Sequence, residues 1–362
     1  MKHFLILSLL TLFSLSSFSE DRVGVNITLK NQKSGTITLT AKKTSACASY
    51  GLLTMTSDIA NMINDGNMAE FMKKNKRCKK FTENLKKVNM VEAGFVGLPN
   101  TDYTLFVLPF DHTGNAGIVE RHPFKTPNVP VAGSPKIDVK VVSVGPDSVS
   151  VEFSPNADVA GYAICQIEAG AADSLLRQHG RILGFSNLPD MIRSFSGKDY
   201  LEKKTHTWNE LAPNTAYEYF AQGWDKNGRY MDLVKIPAKT GKLGGPGEAT
   251  VNITVGDFAG SDATGYFQIV LYAPNDQAAL HRDIIITEEA YNKADMGDEG
   301  VIKLLQQEAP NDPYWNQYRV DKAQWNATPN TAYIACSIAK NVNGEWGPLQ
   351  KVRFVTPAQP AQ

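Results

Sequence analysis

Pro-Asn-Thr-x-Tyr occurs three times, at residues 99–103, 213–217 and 329–333, and no other feature constrains the fold of this chain as strongly. The residues downstream of each copy keep register. Eight residues after the tyrosine stands Asp111, Asp225 or Asn341; eleven after it, Gly114, Gly228 or Gly344; twenty-three after it, Thr126, Thr240 or Thr356. The tyrosines lie 114 and 116 residues apart, a whole-domain period well beyond that of a solenoid. A chain of 362 residues is too long for one ordinary core, and the repeat divides it into three modules.

Strand signals surround each copy. Ile37 and Leu39 alternate with threonines, Val149, Val151 and Phe153 with Ser148, Ser150 and Glu152, and Val251, Ile253 and Val255 with Thr250, Asn252 and Thr254. Such period-two alternation predicts strands with one buried face. A tyrosine opens the next apolar run, at Tyr50, Tyr162 and Tyr266. A further strand should come after each motif and end in an Asp/Asn-x-x-Gly turn, whose glycine takes positive φ without a Cβ clash. Many short strands between turn signals imply a mainly β chain built of sandwiches.

Leu211, Pro213, Thr215 and Tyr217 together resemble the Leu-x-Pro-x-Thr-x-Tyr tyrosine corner of fibronectin type III domains. Ser148 to Phe153, then Gly161 and Tyr162, are similar to that family's second and third strands, with Phe153 where tryptophan is usual. The third copy has Ala327 in the leucine position and no clear first strand, only Lys242 to Gly247. The resemblance implies three tandem immunoglobulin-like or fibronectin type III-like β-sandwiches, at residues 20–128, 135–241 and 247–357. It also implies structural roles for Tyr103, Tyr217 and Tyr333, each hydroxyl bonding back to the backbone before its strand.

A plain module of this kind has about 100 residues, and here the surplus lies between the tyrosine-led strand and the corner. Ile59, Met62, Ile63, Met68, Phe71 and Met72 recur at helical spacing. So do Leu188, Met191, Ile192 and Phe195, and Val301, Ile302, Leu304 and Leu305. Helical insertions are therefore expected in all three modules, as lids over a sheet face or as a shared recognition surface. Residues 56–90 hold eight basic and four acidic side chains, a net of +4; residues 283–312 hold eight acidic and two basic, a net of −6. This asymmetry allows head-to-tail self-association.

Residues 1–19 read as a cleaved signal peptide: Lys2 and His3, an apolar run from Phe4 to Leu15, and small residues before Ser19. With no cysteine at that cut and no later run long enough to span a bilayer, the expected location is secreted or periplasmic, without a lipid anchor. Basic and acidic residues balance at 37 each, so no global field draws in nucleic acid. Of four cysteines only Cys47 and Cys78 share a module, where they could form a disulfide. Tyr314, Trp315, Tyr318 and Trp325 cluster before the third corner, and Trp224, Tyr230 and Trp346 flank hairpin turns. Exposed, these rings could bind a protein or glycan ligand at the cell surface.

No His-Glu-x-x-His, nucleophile elbow, phosphate-cradling loop or metal-ligand spacing is present. No catalytic residue, metal or cofactor is expected. The expected function is an exported, non-catalytic binding or adhesion scaffold. The alternative is an extracytoplasmic carbohydrate-active enzyme or its carbohydrate-binding accessory.

Overall fold

A computed structural model describes residues 22–32, 35–309, 312 and 314–359; the expected signal peptide lies outside them. The first repeat contributes β1 (Val25–Asn31), β2 (Ile37–Lys43), β3 (Ser49–Thr56), α1 (Ser57–Ala60), α2 (Asp65–Lys74), β4 (Lys79–Phe81), β5 (Leu85–Asn89), β6 (Asp102–Phe110) and β7 (Glu120–Lys125). The second supplies β8 (Ile137–Val144), β9 (Val149–Pro155), β10 (Gly161–Glu168), α3 (Ala172–Leu183), α4 (Leu188–Ser196), β11 (Lys204–Trp208), β12 (Ala216–Trp224) and β13 (Val234–Lys239). The third supplies β14 (Val251–Ser261), β15 (Gly265–Pro274), β16 (Ala278–Thr287), α5 (Glu288–Tyr291), α6 (Gly297–Gln306), β17 (Asp321–Asn326), β18 (Ala332–Asn341) and β19 (Gln350–Val355).

Each repeat makes two antiparallel sheets in one order: β1-β2-β5 with β4-β3-β6-β7, β8-β9-β11 with β10-β12-β13, and β14-β15-β17 with β16-β18-β19. This is the mainly β, fibronectin type III-like sandwich architecture expected. Contacts group the chain into two compact units. The first runs up to Val142 and includes Ser150–His206 and Tyr217–Ala238; the second holds Ser143–Val149, Thr207–Ala216 and everything from Lys239.

The repeated motif has a physical reason at each position. Asn100, Asn214 and Asn330 sit at φ of 48°, 51° and 52°, the left-handed region that asparagine tolerates better than most residues. The threonine hydroxyl then donates to the proline carbonyl, Thr101 to Pro99 at 2.8 Å, Thr215 to Pro213 at 2.9 Å and Thr331 to Pro329 at 3.0 Å. Its own N–H donates to the distant threonine, at 2.8 Å for Thr126, 2.9 Å for Thr240 and 3.0 Å for Thr356. That threonine's hydroxyl in turn donates to the carbonyl of Leu98, Ala212 or Thr328. A four-residue turn is thereby clasped to the last strand of its own repeat. Tyr103 Oη accepts the Leu98 N–H and Tyr333 Oη the Thr328 N–H, both at 2.9 Å. These two rings stack on Phe124 and Phe354 at 5.9 and 5.7 Å.

Helices cover the outer face of the sheet that carries β6, β12 or β18. Met68 and Met72 of α2 and Ile59 of α1 pack on Leu53, Met55, Phe106 and Leu108. Met191 and Ile192 of α4 pack on Cys165, Ile167 and Phe220. Val301 and Leu305 of α6 pack on Ile334, Cys336 and Ile338. With both faces covered, these central strands lose the in-out alternation of an exposed sheet, and β6 is buried without a break from Tyr103 to Pro109. The apolar stripes act as lids; each fully buried methionine or leucine contributes about 1.5–3 kcal/mol.

Two expectations need correction. The run at residues 251–255 opens the first strand of its repeat, and the Tyr266 run forms the second. The third strand is β16, whose apolar pattern is broken by His281, Arg282 and Asp283. Alternation identifies a strand but not its place in the sandwich. Secondly, all four cysteines are free thiols. Cys47 belongs to the core between the sheets of the first repeat, whereas Cys78 packs under α2, on the opposite face of β3, so the sheet itself separates them.

Candidate functional site

Within the first unit, the second repeat is fixed to the first by its last hairpin. In all three repeats an Asp or Asn side chain at the hairpin start accepts two backbone N–H groups, from Thr113 and Asn115, from Asn227 and Arg229, and from Asn343 and Glu345. Gly114, Gly228 and Gly344 come next at φ of 87°, 74° and 86°, where a side chain would be strained. The first repeat's hairpin is largely exposed, whereas the second's is sealed against its neighbour. Gly97 and Gly228 join through a 2.9 Å backbone bond, and the Tyr230 N–H returns to the Gly97 carbonyl at 3.2 Å. Asn89 Nδ2 donates to the Lys226 carbonyl at 3.1 Å, and the Thr36 hydroxyl to Asn227 Oδ1 at 2.7 Å.

Asp225 and Arg229 make this joint a buried ion pair, 0% and 4% exposed, with 3.2 Å between Oδ2 and Nη2. Arg229 Nη1 also donates to the Val129 carbonyl at 2.8 Å, and the Ala132 N–H to Asp225 Oδ2 at 2.7 Å. The proline-rich connection between the two repeats is thus held by the same pair.

Helix α4 makes a second set of ties. Asn187 caps its N-terminus, Oδ1 accepting the Asp190 N–H at 2.9 Å, and Pro189 lies in the first turn, where its missing N–H costs nothing. Arg193 forks onto Asp199 at 3.0 and 2.5 Å, donates to the Gly94 carbonyl at 3.2 Å and lies 4.7 Å over the Trp224 ring. Asp190 Oδ1 accepts the Tyr230 hydroxyl at 2.8 Å, and burial pushes its carboxyl above the ordinary range. Trp224 and Tyr230, 3% and 5% exposed, are therefore spent on the joint and not offered to a ligand. Between the repeats remains a crevice of ≈ 60 Å³, lined by Met55, Asn75, Arg77, Leu183, Phe185, Asp190 and Ser194 among others. Small-molecule pockets run to about 300–1,000 Å³. This one fits a single small polar group.

In the second unit the expected aromatic platform is dispersed. Trp325 turns from β17 into the core with Tyr272 and Phe354. Trp315 lies against the Arg282 guanidinium at 5.7 Å, with Trp346 against it at 5.1 Å. Tyr318 is half-buried, leaving Tyr314, at 80% exposure, as the ring of the four that faces solvent.

Beside Arg282, His281 is fully buried on β16. Its Nδ1 lies 3.0 Å from Asp283 Oδ1 and its Nε2 2.6 Å from the Arg319 carbonyl oxygen. Both neighbours only accept, so the ring is held as a doubly protonated cation. Burial opposes the charge, but the Asp283 carboxylate, the Arg319 carbonyl and Asp321 outweigh it and raise the pKa above 6.5. A raised folded pKa means stability that is full below the unfolded value and lost as pH rises through the folded one. Thermal unfolding of the second unit should therefore lose stability as pH rises above about 6.5, with a slope of at most about 1.4 kcal/mol per pH unit. In His281→Gln that slope should vanish. A flat profile between pH 6 and 9 in the unsubstituted protein would contradict the assignment.

Among the described residues there is no group of three or more His, Cys, Asp or Glu placed to hold a metal ion, and no helix long and apolar enough to cross a membrane. No protein-family model and no curated protein matches the chain. Among solved structures, the crystal structure of the chicken CNTN1 FN1-FN3 domains aligns over 91% of this chain and 97% of that one, at 11% identity and a TM-score of 0.22. The sandwich architecture stands on the strand order and register of the chain itself.

Proposed function

We propose that the protein is an exported, non-catalytic binding scaffold of three fibronectin type III-like modules, at residues 20–128, 135–241 and 247–357, released from a leader at 1–19. The observation that carries this reading is the joint between the first two repeats. A buried ion pair and the connection at residues 126–136 are committed to fixing one module on the next, which is what presenting surfaces at a set spacing requires. The tyrosine corners at Tyr103, Tyr217 and Tyr333 serve the same end inside each module. Purified mature chain should turn over no polysaccharide, ester or peptide in a broad substrate panel; hydrolysis of any of them would overturn the non-catalytic assignment.

Self-association is the second reading, favoured by charge. Lys73, Lys76, Lys80, Lys86 and Lys87 are exposed on the first repeat. On the third, Asp298 and Glu288 are already paired, with Lys351 and Arg353 at 2.6 Å, which reduces the acidic surface left to attract them. Light scattering at low salt should show weak head-to-tail association that disappears when salt shortens the Debye length to about 8 Å. Monomers at every ionic strength would exclude it.

A further inference from the structure

Arg77 lies half-buried between α2 and β4, in the wall of the crevice between the first two repeats. Its backbone N–H is fixed on Asn75 Oδ1 at 2.9 Å, and its guanidinium donates to the Arg193 carbonyl. Among the described residues no carboxylate pairs with it. The nearby acids are committed elsewhere: Asp199 to the Arg193 fork, and Asp190 to the Tyr230 hydroxyl and to Asn187 Nδ2, both at 2.8 Å. A guanidinium withdrawn from water without a counter-ion is costly, and the Arg193 guanidinium beside it adds repulsion.

Two further donors line the same crevice without a protein partner among the described residues, the Ser194 hydroxyl and the Asn75 side-chain amide. With the Asp190 carboxyl pushed up by burial, the wall carries more positive than negative charge. The space, ≈ 60 Å³, is about that of two water molecules, enough for one carboxylate and little else. Leu183, 45% exposed, lines it, and Phe195, 40% exposed, is in edge contact with the crevice residue Phe185.

We infer that this crevice receives the side-chain carboxylate of an acidic peptide segment, held by Arg77, Ser194 and Asn75, with an apolar neighbour of that residue lying on Leu183 and Phe195. The inference rests on the scaffold reading above and supplies its partner class. The exposed Leu183 side chain, aliphatic and without a flat face, suits an apolar residue of a peptide better than a sugar ring.

The probes are fluorescein-labelled hexapeptide pools, each with one Glu flanked by Leu and Phe, against matching pools with Gln; heparin and polygalacturonate serve as anionic glycans. Binding to the full mature chain is read by fluorescence polarisation. The Glu pools should bind and the Gln pools should bind at least about tenfold more weakly, and Arg77→Met should weaken Glu binding by a similar factor. Arg77→Met should also melt within a few degrees of the parent chain, because removal of the unpaired charge offsets the loss of the donor to the Arg193 carbonyl. Several outcomes overturn the proposal: no Glu pool binds, Gln pools bind equally, Arg77→Met binds undiminished, or only the glycans depend on Arg77. A large drop in melting temperature for Arg77→Met would do so too, since it makes Arg77 a structural residue. None of these touches the non-catalytic assignment, which fails only on turnover.

Discussion

Asp225→Ala should cost about 3–5 kcal/mol of the first unit's stability, and Asp111→Ala, at the equivalent turn of the first repeat, under about 1 kcal/mol. The two aspartates build the same turn, so the difference isolates burial. Asp111 accepts from Thr113 and Asn115 at an exposed hairpin, where water replaces whatever is lost. Asp225 is 0% exposed and accepts from Asn227, Arg229 and Ala132 N–H groups as well as from the Arg229 guanidinium. Removing it strands a guanidinium that is 4% exposed, with the Val129 carbonyl alone among the described residues left to receive it. For a unit of this size the loss corresponds to a melting shift on the order of 10 °C. Hydrogen exchange at Gly97 and Tyr230 should report it locally, since their paired amides cross the joint. Equal costs for the two substitutions would show that the joint is not held by the pair.

The repeats themselves show why this residue was hard to value from sequence. Position eight after each tyrosine, and the residue four further on, read Asp111–Asn115, Asp225–Arg229 and Asn341–Glu345. In the third, Asn341 Nδ2 donates to Glu345 Oε2 at 2.7 Å and to the Pro246 and Gly247 carbonyls at 3.1 Å. The turn was legible, because its side-chain acceptor and positive-φ glycine are local chemistry. Its partner surface was not, because an Asp–Arg pair at i,i+4 looks the same whether water or a neighbouring module covers it.

The same division runs through the fold. The corner motif, the alternating strands and the apolar stripes of α2, α4 and α6 all depend on neighbours close in sequence, and they stand where the pattern puts them. Helix α3 and the position of β16 do not. β16 carries three consecutive polar side chains, His281, Arg282 and Asp283, in its middle, and such a strand needs partners from elsewhere in the chain. A charged triplet between apolar stretches was the available signal. The aromatics misled for a related reason. A tryptophan near a turn announces a large apolar surface, but not whether a ligand, a core or a buried cation covers it, and here Trp325 met a core and Trp315 a cation.

Arg282 is that cation, and Arg282→Met should destabilise the second unit by about 1.5–3 kcal/mol. Its side chain is 1% exposed and donates to the Leu305 and Gln307 carbonyls at 2.9 and 2.8 Å and to Asn316 Oδ1 at 2.8 Å. The two carbonyls are the orphaned acceptors at the end of α6, so the guanidinium is both a cap and a positive charge at the negative end of the helix. Methionine would fill much of the volume between Trp315 and Trp346 but leave the Leu305 carbonyl without its side-chain donor, at about 1–3 kcal/mol, while the Gln307 carbonyl keeps the Trp315 indole N–H at 2.8 Å. The ion pair with Glu308, by contrast, should matter little: that carboxylate is 71% exposed, and Glu308→Ala should cost under about 1 kcal/mol. Arg282→Lys keeps the charge but not the fork and should recover less than half of the loss. Because tryptophans flank the guanidinium, the loosening of α6 should appear as a red-shifted emission before global unfolding. If Arg282→Met stays within about 1 kcal/mol of the parent while Glu308→Ala does not, the exposed ion pair, not the helix cap, is what holds α6 on its sheet.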